Sequence, residues 1–222
     1  LILYAVFATW ADKVPQEWTS IAYPSLRPLG SWMRNLQTRV AQLSDWMATP
    51  GDEPAVFWIS GFFYPSSLLT ATQQVALQNR SFEPENLDTM TICTKKLRAE
   101  EVSQSAKEGI FISGLFLDGG SWSTQDSLLE ESKPHQLYEA LPIANIRAIT
   151  HGPSHDSNFK CPVFLTRLRS LTHVFTVSMK SKHRNQKWIM EGVAVILDNT
   201  WETQFSLIFP IPPPIWRHIC SS

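Results

Sequence analysis

Few residues of this sequence are of types that do chemistry, and the spacing of the clearest group argues against a metal site. His151 and His155 are four residues apart and Asp156 follows them, but Gly152-Pro153 lies between the two histidines. Glycine and proline both break helices, so no helix is expected to present the two imidazoles to one metal ion. Three such side chains in a loop also arise by chance. We therefore expect no metal-binding residue in this protein.

The other candidates for chemistry are a carboxylate pair and a glycine pair, and neither has the required context. Glu130-Glu131 is predicted to be a solvated turn, not an acid–base pair, because adjacent side chains on a strand point apart. Gly109 and Gly114 have the separation found in GxxxxGK[ST], but Leu115-Phe116 follows where lysine and Ser/Thr are required. The motifs GxGxxG, GxSxG and HExxH do not occur. We expect no catalytic residue and no cofactor-binding residue here.

The composition bounds the class of protein. Hydrophobic residues make up 43% and charged residues 18% of the 222 residues, as in one large globular domain or two small ones. The formal net charge of −1 gives no sign of a nucleic-acid partner. Leu1–Ala11 is apolar but much shorter than the ~20 residues that span a bilayer, so no membrane partner is expected. Cys93, Cys161 and Cys220 form no CxxC pair and are predicted to be reduced thiols.

The fold is predicted to be organised around Phe57–Pro65, which holds five aromatic residues in nine positions. Each aromatic side chain can bury about 150–250 Å², so this stretch is the strongest candidate for a core nucleus. Gly61 permits a sharp bend in it. Pro65 suits the first turn of a helix that is predicted to continue to Arg80.

A second and longer helix is predicted between Pro28, which begins it, and Pro50-Gly51, which lies beyond its end. Apolar side chains recur along it at spacings of three and four residues, and we expect them to face the core. This face comprises Leu29, Trp32, Met33, Leu36, Val40, Leu43, Trp46 and Met47. The polar side chains expected mostly on the other face are Arg34, Asn35, Gln37, Arg39, Gln42 and Asp45.

The pattern changes to short strands after residue 88. Strands are predicted at 88–95, 109–117, 142–150, 161–166, 172–179 and 192–197. The predicted fold class is therefore α+β, with an N-terminal helical segment at 12–88 followed by a small antiparallel β-barrel-like domain at 89–200. Residues 1–11 are interpreted as an apolar remnant of upstream sequence, and residues 201–222 as a disordered, proline-containing tail.

Two sets of residues are singled out for packing and for contact. The predicted structural core comprises Trp32, Leu36, Phe57, Trp58, Gly61, Phe62, Phe63, Pro65, Phe111, Gly114, Phe116, Trp122, Trp188 and Gly192. Residues 157–190 contain seven Lys/Arg and no acidic residue. This run is either a solvated hairpin with residues 182–185 at its tip or a surface for an acidic partner. The candidate partner contacts are Lys180, Lys182, Arg184 and Lys187.

A long series of motifs in one order carries a family resemblance. These are VPQEW, AYPSLRPLGSWM, FWISGFFYPSSLLTATQQ, EGIFISGLFLDGGSW, SKPHQLYEALPI, CPVFLT and WIMEGVAVIL. Over roughly residues 14–197 the sequence resembles the C-terminal region of dynein heavy chains, and the axonemal members more than the cytoplasmic ones. It departs from the family in residues 1–11, at Ala140 where proline is usual, at Glu191 where a basic residue is common, and in its tail after residue 200.

The resemblance implies a helical segment and a small β-barrel that lie across one face of the motor's ring of six AAA+ modules. The ring binds ATP and Mg, hydrolyses ATP and drives movement toward microtubule minus ends. The C-terminal region itself is non-catalytic, regulatory and structural. The implied partners are the AAA+ ring of the same heavy chain, the dynein intermediate and light chains, and microtubules, in the cytoplasm, the cytoskeleton and the axoneme of cilia or flagella.

One alternative function is of a different class. It is that of a free-standing, non-catalytic interaction module that binds through its basic hairpin or through its proline-rich tail. The tail contains Phe209–Trp216 (FPIPPPIW), a polyproline II segment of the PxxP type.

Overall fold

The computed structural model describes residues 14–18, 20–49, 51, 53–79, 87–150, 158–169 and 173–198. The predictions for residues 1–11 and 201–222, for His151, His155 and Asp156, and for Cys220 lie outside these residues. Within the described part, no helix is both long and apolar enough to cross a membrane.

Three α-helices are present in the described residues. Helix α1 spans Leu29–Ala48, α2 spans Pro65–Asn79 and α3 spans Asn185–Glu191. The carbonyl of Pro28 accepts hydrogen bonds from the backbone N–H groups of Ser31 and Trp32, at 3.0 and 2.8 Å, which begins α1 where the sequence predicts. Helix α2 begins at Pro65, as predicted. Helix α3 is new, because its seven residues are too few to show a helical period.

Eleven strands occur in the described residues. They are β1 (Phe57–Trp58), β2 (Leu87–Cys93), β3 (Ile110–Ser113), β4 (Phe116–Asp118), β5 (Gly120–Ser123), β6 (Leu128–Glu131), β7 (Tyr138–Ala140), β8 (Ala144–Thr150), β9 (Phe159–Phe164), β10 (His173–Met179) and β11 (Ala194–Ile196). Strand β6 contains Glu130-Glu131, which the sequence placed in a turn. Strands β5, β6 and β7 are too short and too polar to have been predicted.

Nine of these strands form one mixed sheet in the order β1-β3-β8-β2-β10-β9-β11-β4-β7, and β5 pairs with β6 alone. The pairs β1–β3, β2–β10 and β9–β11 are parallel, and the other pairs of the nine-stranded sheet are antiparallel. The predicted α+β class is confirmed. The sheet is mixed and not wholly antiparallel, and its strand order in the described residues ends at β1 and β7, so it is barrel-like only in a loose sense.

Gly114 divides what the sequence presents as one strand at 109–117. Its φ is +88°, a conformation that side chains disfavour, and the backbone turns there from β3 to β4. Strand β3 continues in the sheet beside β1 and β8, whereas β4 lies at the other end between β11 and β7. One residue therefore sends two halves of an apolar run to opposite ends of the sheet.

The predicted core residues are all buried to some degree. Those fully buried are Trp32, Phe57, Gly61, Pro65, Trp122 and Trp188. Phe62 is partly buried and packs against the core cluster. Those half-buried are Leu36, Trp58, Phe63, Phe111, Gly114, Phe116 and Gly192. Tyr64, the fifth aromatic of the predicted nucleus, is 78% exposed, so this nucleus ends at Phe63.

The protein divides into two compact units, Leu1–Gln37 with Asp198–Ser222 and Thr38–Leu197. In the first unit, the ring of Tyr23 stacks on Trp32 with centroids 5.1 Å apart, and its hydroxyl donates to Asn35 Oδ1 at 2.8 Å. Asp198 accepts hydrogen bonds from the hydroxyl of Ser25 at 2.6 Å and from Arg27 Nε at 2.7 Å. The second unit holds the sheet and its core.

Candidate functional site

The face of α1 that packs inward is not the one that the apolar pattern predicts. Arg39, expected among the polar residues, is 5% exposed and donates from Nη1 to the carbonyl of Phe62 at 3.0 Å. Gln42 Nε2 donates to the carbonyl of Trp58 at 3.4 Å. Strand β1 is only two residues long, so the backbone after it leaves the sheet and needs side-chain donors. Two polar residues of α1 supply them.

The opposite consequence is an apolar outer face on α1. Val40 and Met47 were predicted to face the core but are 49% and 79% exposed, and Met33 is 48% exposed. Val40 and Met47 are seven residues apart, so they lie on one side of the helix, and the half-buried Leu43 lies between them. We call Val40, Leu43 and Met47 the α1 stripe. An apolar stripe left in solvent is typical of a docking surface.

Helix α3 is held in place by its one buried side chain. Trp188 is 0% exposed, and its indole N–H donates to the hydroxyl of Ser181 at 2.7 Å. The ring of His183 packs edge-on against the indole, with centroids 5.6 Å apart. These contacts fix the segment before α3 as well as the helix. The adjacent Ile189 and Met190 are 68% and 82% exposed.

Arg169 fixes the other end of α3. Its Nη1 donates to the carbonyl of Gly192 at 2.7 Å, and its Nη2 pairs with Asp118 Oδ2 at 2.7 Å. Gly192 ends the helix in the left-handed conformation, with φ 69°. A guanidinium beside the last carbonyls of a helix also meets the negative end of the helix dipole. One side chain thus joins the end of α3 to β4.

The basic run of residues 157–190 is not a hairpin, which corrects that prediction. Strands β10 and β11 both pair with β9 and not with each other, and α3 connects them. Lys187 donates to the carboxylate of Glu131, and this bond holds the pKa of that exposed carboxyl below its usual range. Lys187 is therefore occupied within the fold. The side chains of Lys180, Lys182 and Arg184 are exposed, and among the described residues they have no hydrogen-bond or ion-pair partner.

Two cavities on the second unit meet at Asn158. The first, of about 570 Å³, lies beside α3, where Ile189, Pro162 and Phe164 line it together with Lys160 and Arg169. The second, of about 490 Å³, lies at the carboxyl ends of β2 and β10, and its lining includes Met90, Ile92, Lys95 and Lys180. None of the described residues that line either cavity is a carboxylate. We call the two cavities together the cationic channel.

The remaining residues considered for chemistry have structural surroundings. A Cβ at Gly109, where φ is +71°, would lie 1.8 Å from the carbonyl oxygen of Ile146, so this glycine allows the backbone of β8 to approach closely. Burial raises the pKa of Cys93 to about 12 and also raises that of Cys161. Both thiols are therefore poor nucleophiles. No group of three or more His, Cys, Asp or Glu side chains that could hold a metal ion occurs among the described residues.

Sequence reasoning missed two parts of these surfaces. Arg169 was counted as one charge of a basic run, although it is bound on two sides. Lys95 was not considered, because it is far in sequence from Lys160 and Lys180. The only usable signal was Gly192 after Trp188, since a glycine that follows a short polar–apolar segment is typical of a helix end.

Comparison with known proteins gives consistent matches. The family model of the C-terminal domain of the dynein heavy chain matches residues 5–197. The sequence is 40% identical over 188 residues to the dynein beta chain of the flagellar outer arm of Chlamydomonas reinhardtii, covering 84% of this chain and 4% of that protein. It is 35% identical over 191 residues to human dynein axonemal heavy chain 17, covering 86% and 4%.

A ciliary protein gives a similar match. The sequence is 35% identical over 191 residues to the ciliary dynein beta chain of Tripneustes gratilla, with 86% of this chain and 4% of that protein covered. It thus spans only about 4% of the length of the curated relatives that it matches.

Proposed function

Because this protein belongs to the family of dynein heavy-chain domains from the C-terminal end, we propose that it is the ring-capping, regulatory and structural part of an axonemal dynein heavy chain. The parent protein would be a minus-end-directed microtubule motor of cilia or flagella. Its AAA+ ring, in sequence outside these 222 residues, would bind Mg and ATP and hydrolyse the nucleotide. The present residues would contribute no catalytic group. Their direct partner would be that ring, and the intermediate chains, light chains and microtubules would be reached through the parent complex.

The observation that supports docking is the α1 stripe. Helix α1 has 20 residues and is therefore about 30 Å long, which suits a contact that runs across a large surface. Val40 and Met47 are exposed on it although the sequence offers polar residues for that position of the helix. Burying Arg39 in their place costs the fold hydrophobic burial that a second surface would recover. A ring surface that covers the stripe accounts for this arrangement.

Charge substitution on the stripe tests the docking. We expect a complete heavy chain with Val40→Lys and Met47→Lys to lose contact between this region and the ring, because two ammonium groups would have to be desolvated. Ala41→Lys with Ala48→Lys is the matched control, since both alanines are exposed, seven residues apart and add the same charge. Cross-linking of this region to the ring and single-molecule velocity are measured. Equal results for the two variants would contradict docking through the stripe.

A deletion tests the regulatory role. Removing Thr89–Leu197 from a complete motor retains the helical part of the region, so a changed phenotype is assigned to the sheet. We expect ATP turnover sites to remain intact while stepping or force changes. Unchanged velocity, run length and stall force in single-molecule assays would remove support for a regulatory cap. Neutralising Lys180, Lys182, Arg184 and Lys187 should have a smaller effect, at ~0–1 kcal/mol for each exposed pair.

The free-standing interaction module has less support. The basic hairpin on which it depended does not form, and the proline-rich tail lies outside the described residues. Analytical ultracentrifugation of the isolated 222-residue protein separates the two functions. A detached cap should self-associate through the α1 stripe, and Val40→Lys with Met47→Lys should reduce this. A module that functions alone should be monodisperse in both forms.

A further inference from the structure

The cationic channel is separate from the α1 stripe and needs its own explanation. Three of its cations, Lys95, Lys160 and Lys180, are exposed, and their side chains have no hydrogen-bond or ion-pair partner among the described residues. They come from the end of β2, from β9 and from the end of β10, which are neighbours in the sheet. Like charges gathered on one surface repel one another, and none of the described lining residues is a carboxylate that would offset this. A negatively charged ligand would.

We propose that the cationic channel binds an extended acidic segment of a partner protein. The charges select the sign of the ligand, and the floor selects its other property. Pro162, Phe164 and Ile189 line the first cavity, and Met90 and Ile92 line the second. Apolar side chains interspersed among the carboxylates of the ligand would pack on this floor, because apolar area buried there is removed from water.

The dimensions favour an extended peptide over a compact anion. Lys160 and Phe164 are at the two ends of a stretch of β9 that is about 13 Å long at 3.3 Å per residue. From β9 to β2 the channel crosses two strand spacings, which adds about 10 Å. A single phosphate or carboxylate would reach only one of the three lysines. An extended peptide that bears several carboxylates can reach them all.

The same observations disfavour a nucleic acid. The formal net charge of the whole protein is −1, and only a few cations line the channel. A polyphosphate backbone gains nothing from the apolar floor. Leucine or phenylalanine side chains on an acidic peptide gain directly from it.

The test uses the complete 222-residue protein and a labelled peptide of glutamates interrupted by one leucine and one phenylalanine. We expect micromolar binding by fluorescence anisotropy, weaker at higher salt. Lys160→Glu with Lys180→Glu should weaken it by about tenfold or more, because two attractions become repulsions. The matched control is Lys107→Glu with Lys133→Glu, which makes the same charge change at exposed residues outside both cavities. It should change the affinity by less than about twofold.

Further probes test each part of the proposal. A peptide with glutamines in place of the glutamates should bind weakly, and Ile189→Ser should weaken the acidic peptide while leaving the thermal melt unchanged, because Ile189 is mostly exposed. Circular dichroism melts show that every variant is folded. Equal affinity of the two charge-reversal variants, or no binding to the unmodified protein at millimolar peptide, overturns the proposal. Equal binding of an all-glutamate peptide, or tighter binding of single-stranded DNA, also overturns it.

Discussion

Replacing single glycines around Trp58 tests the packing of the aromatic nucleus. The indole ring of Trp58 lies against two glycines: a Cβ at Gly61 would be 2.5 Å from it, and a Cβ at Gly114 would be 2.6 Å from it. The two positions differ in backbone, because only Gly114 has a positive φ, of +88°. Gly51 provides the third case, with φ +96° and nothing within 4 Å of its Cβ.

The magnitudes follow from two costs and one gain. A left-handed conformation costs a residue with a Cβ roughly 1–2 kcal/mol, and overpacking costs about 1–3 kcal/mol. Alanine lowers the entropy of the unfolded state, which returns about 0.4–1 kcal/mol. We therefore expect Gly51→Ala to destabilise by about 0.5–1 kcal/mol, Gly61→Ala by about 1–2 and Gly114→Ala by about 2–4, since only the last combines both costs.

Urea unfolding followed by tryptophan fluorescence and circular dichroism measures these differences. A second comparison isolates the clash. Combining Gly61→Ala with Trp58→Ala should be less destabilising than the sum of the two, by about 0.5–3 kcal/mol, because the clashing ring is gone. Additive effects, or equal midpoints for the Gly61→Ala protein and the unmodified one, would refute the position of the Trp58 ring.

Two further predictions concern buried polar groups. Asp198→Ala should destabilise the first unit by about 3–5 kcal/mol, because Asp198 and Arg27 form a buried ion pair in which Asp198 also accepts from Ser25; urea unfolding checks this, and an unchanged midpoint would contradict it. In a Cys220→Ser protein, Cys93 and Cys161 should react with a thiol reagent at pH 8 only after unfolding; rapid labelling of the native protein would be inconsistent with their burial. Because the pKa of Cys93 is raised from 9.0 to about 12, the unfolding free energy should fall as pH rises from 9 toward 12, and a flat profile would argue against it.

The sequence alone determines the local elements and the family. Pro28 and Pro65 mark the starts of α1 and α2 because proline lacks the N–H that a first turn leaves unused. Alternation of polar and apolar residues predicts β2, β8, β9 and β10 to within a few residues, because each has one face toward the core. The motifs spread over residues 14–197 identify the family of the dynein C-terminal domain, since order and spacing are properties of sequence.

Only the tertiary structure decides which surfaces are available. The apolar pattern of α1 predicts Val40 inside and Arg39 outside, and the reverse occurs because the carbonyl of Phe62 needs a donor. Pairing of Trp58 with Gly114, far apart in the sequence, follows from the parallel register of β1 and β3. Lys95, Lys160 and Lys180 meet because the sheet order brings β2, β10 and β9 side by side. Sheet order depends on long-range pairing, which no local pattern encodes.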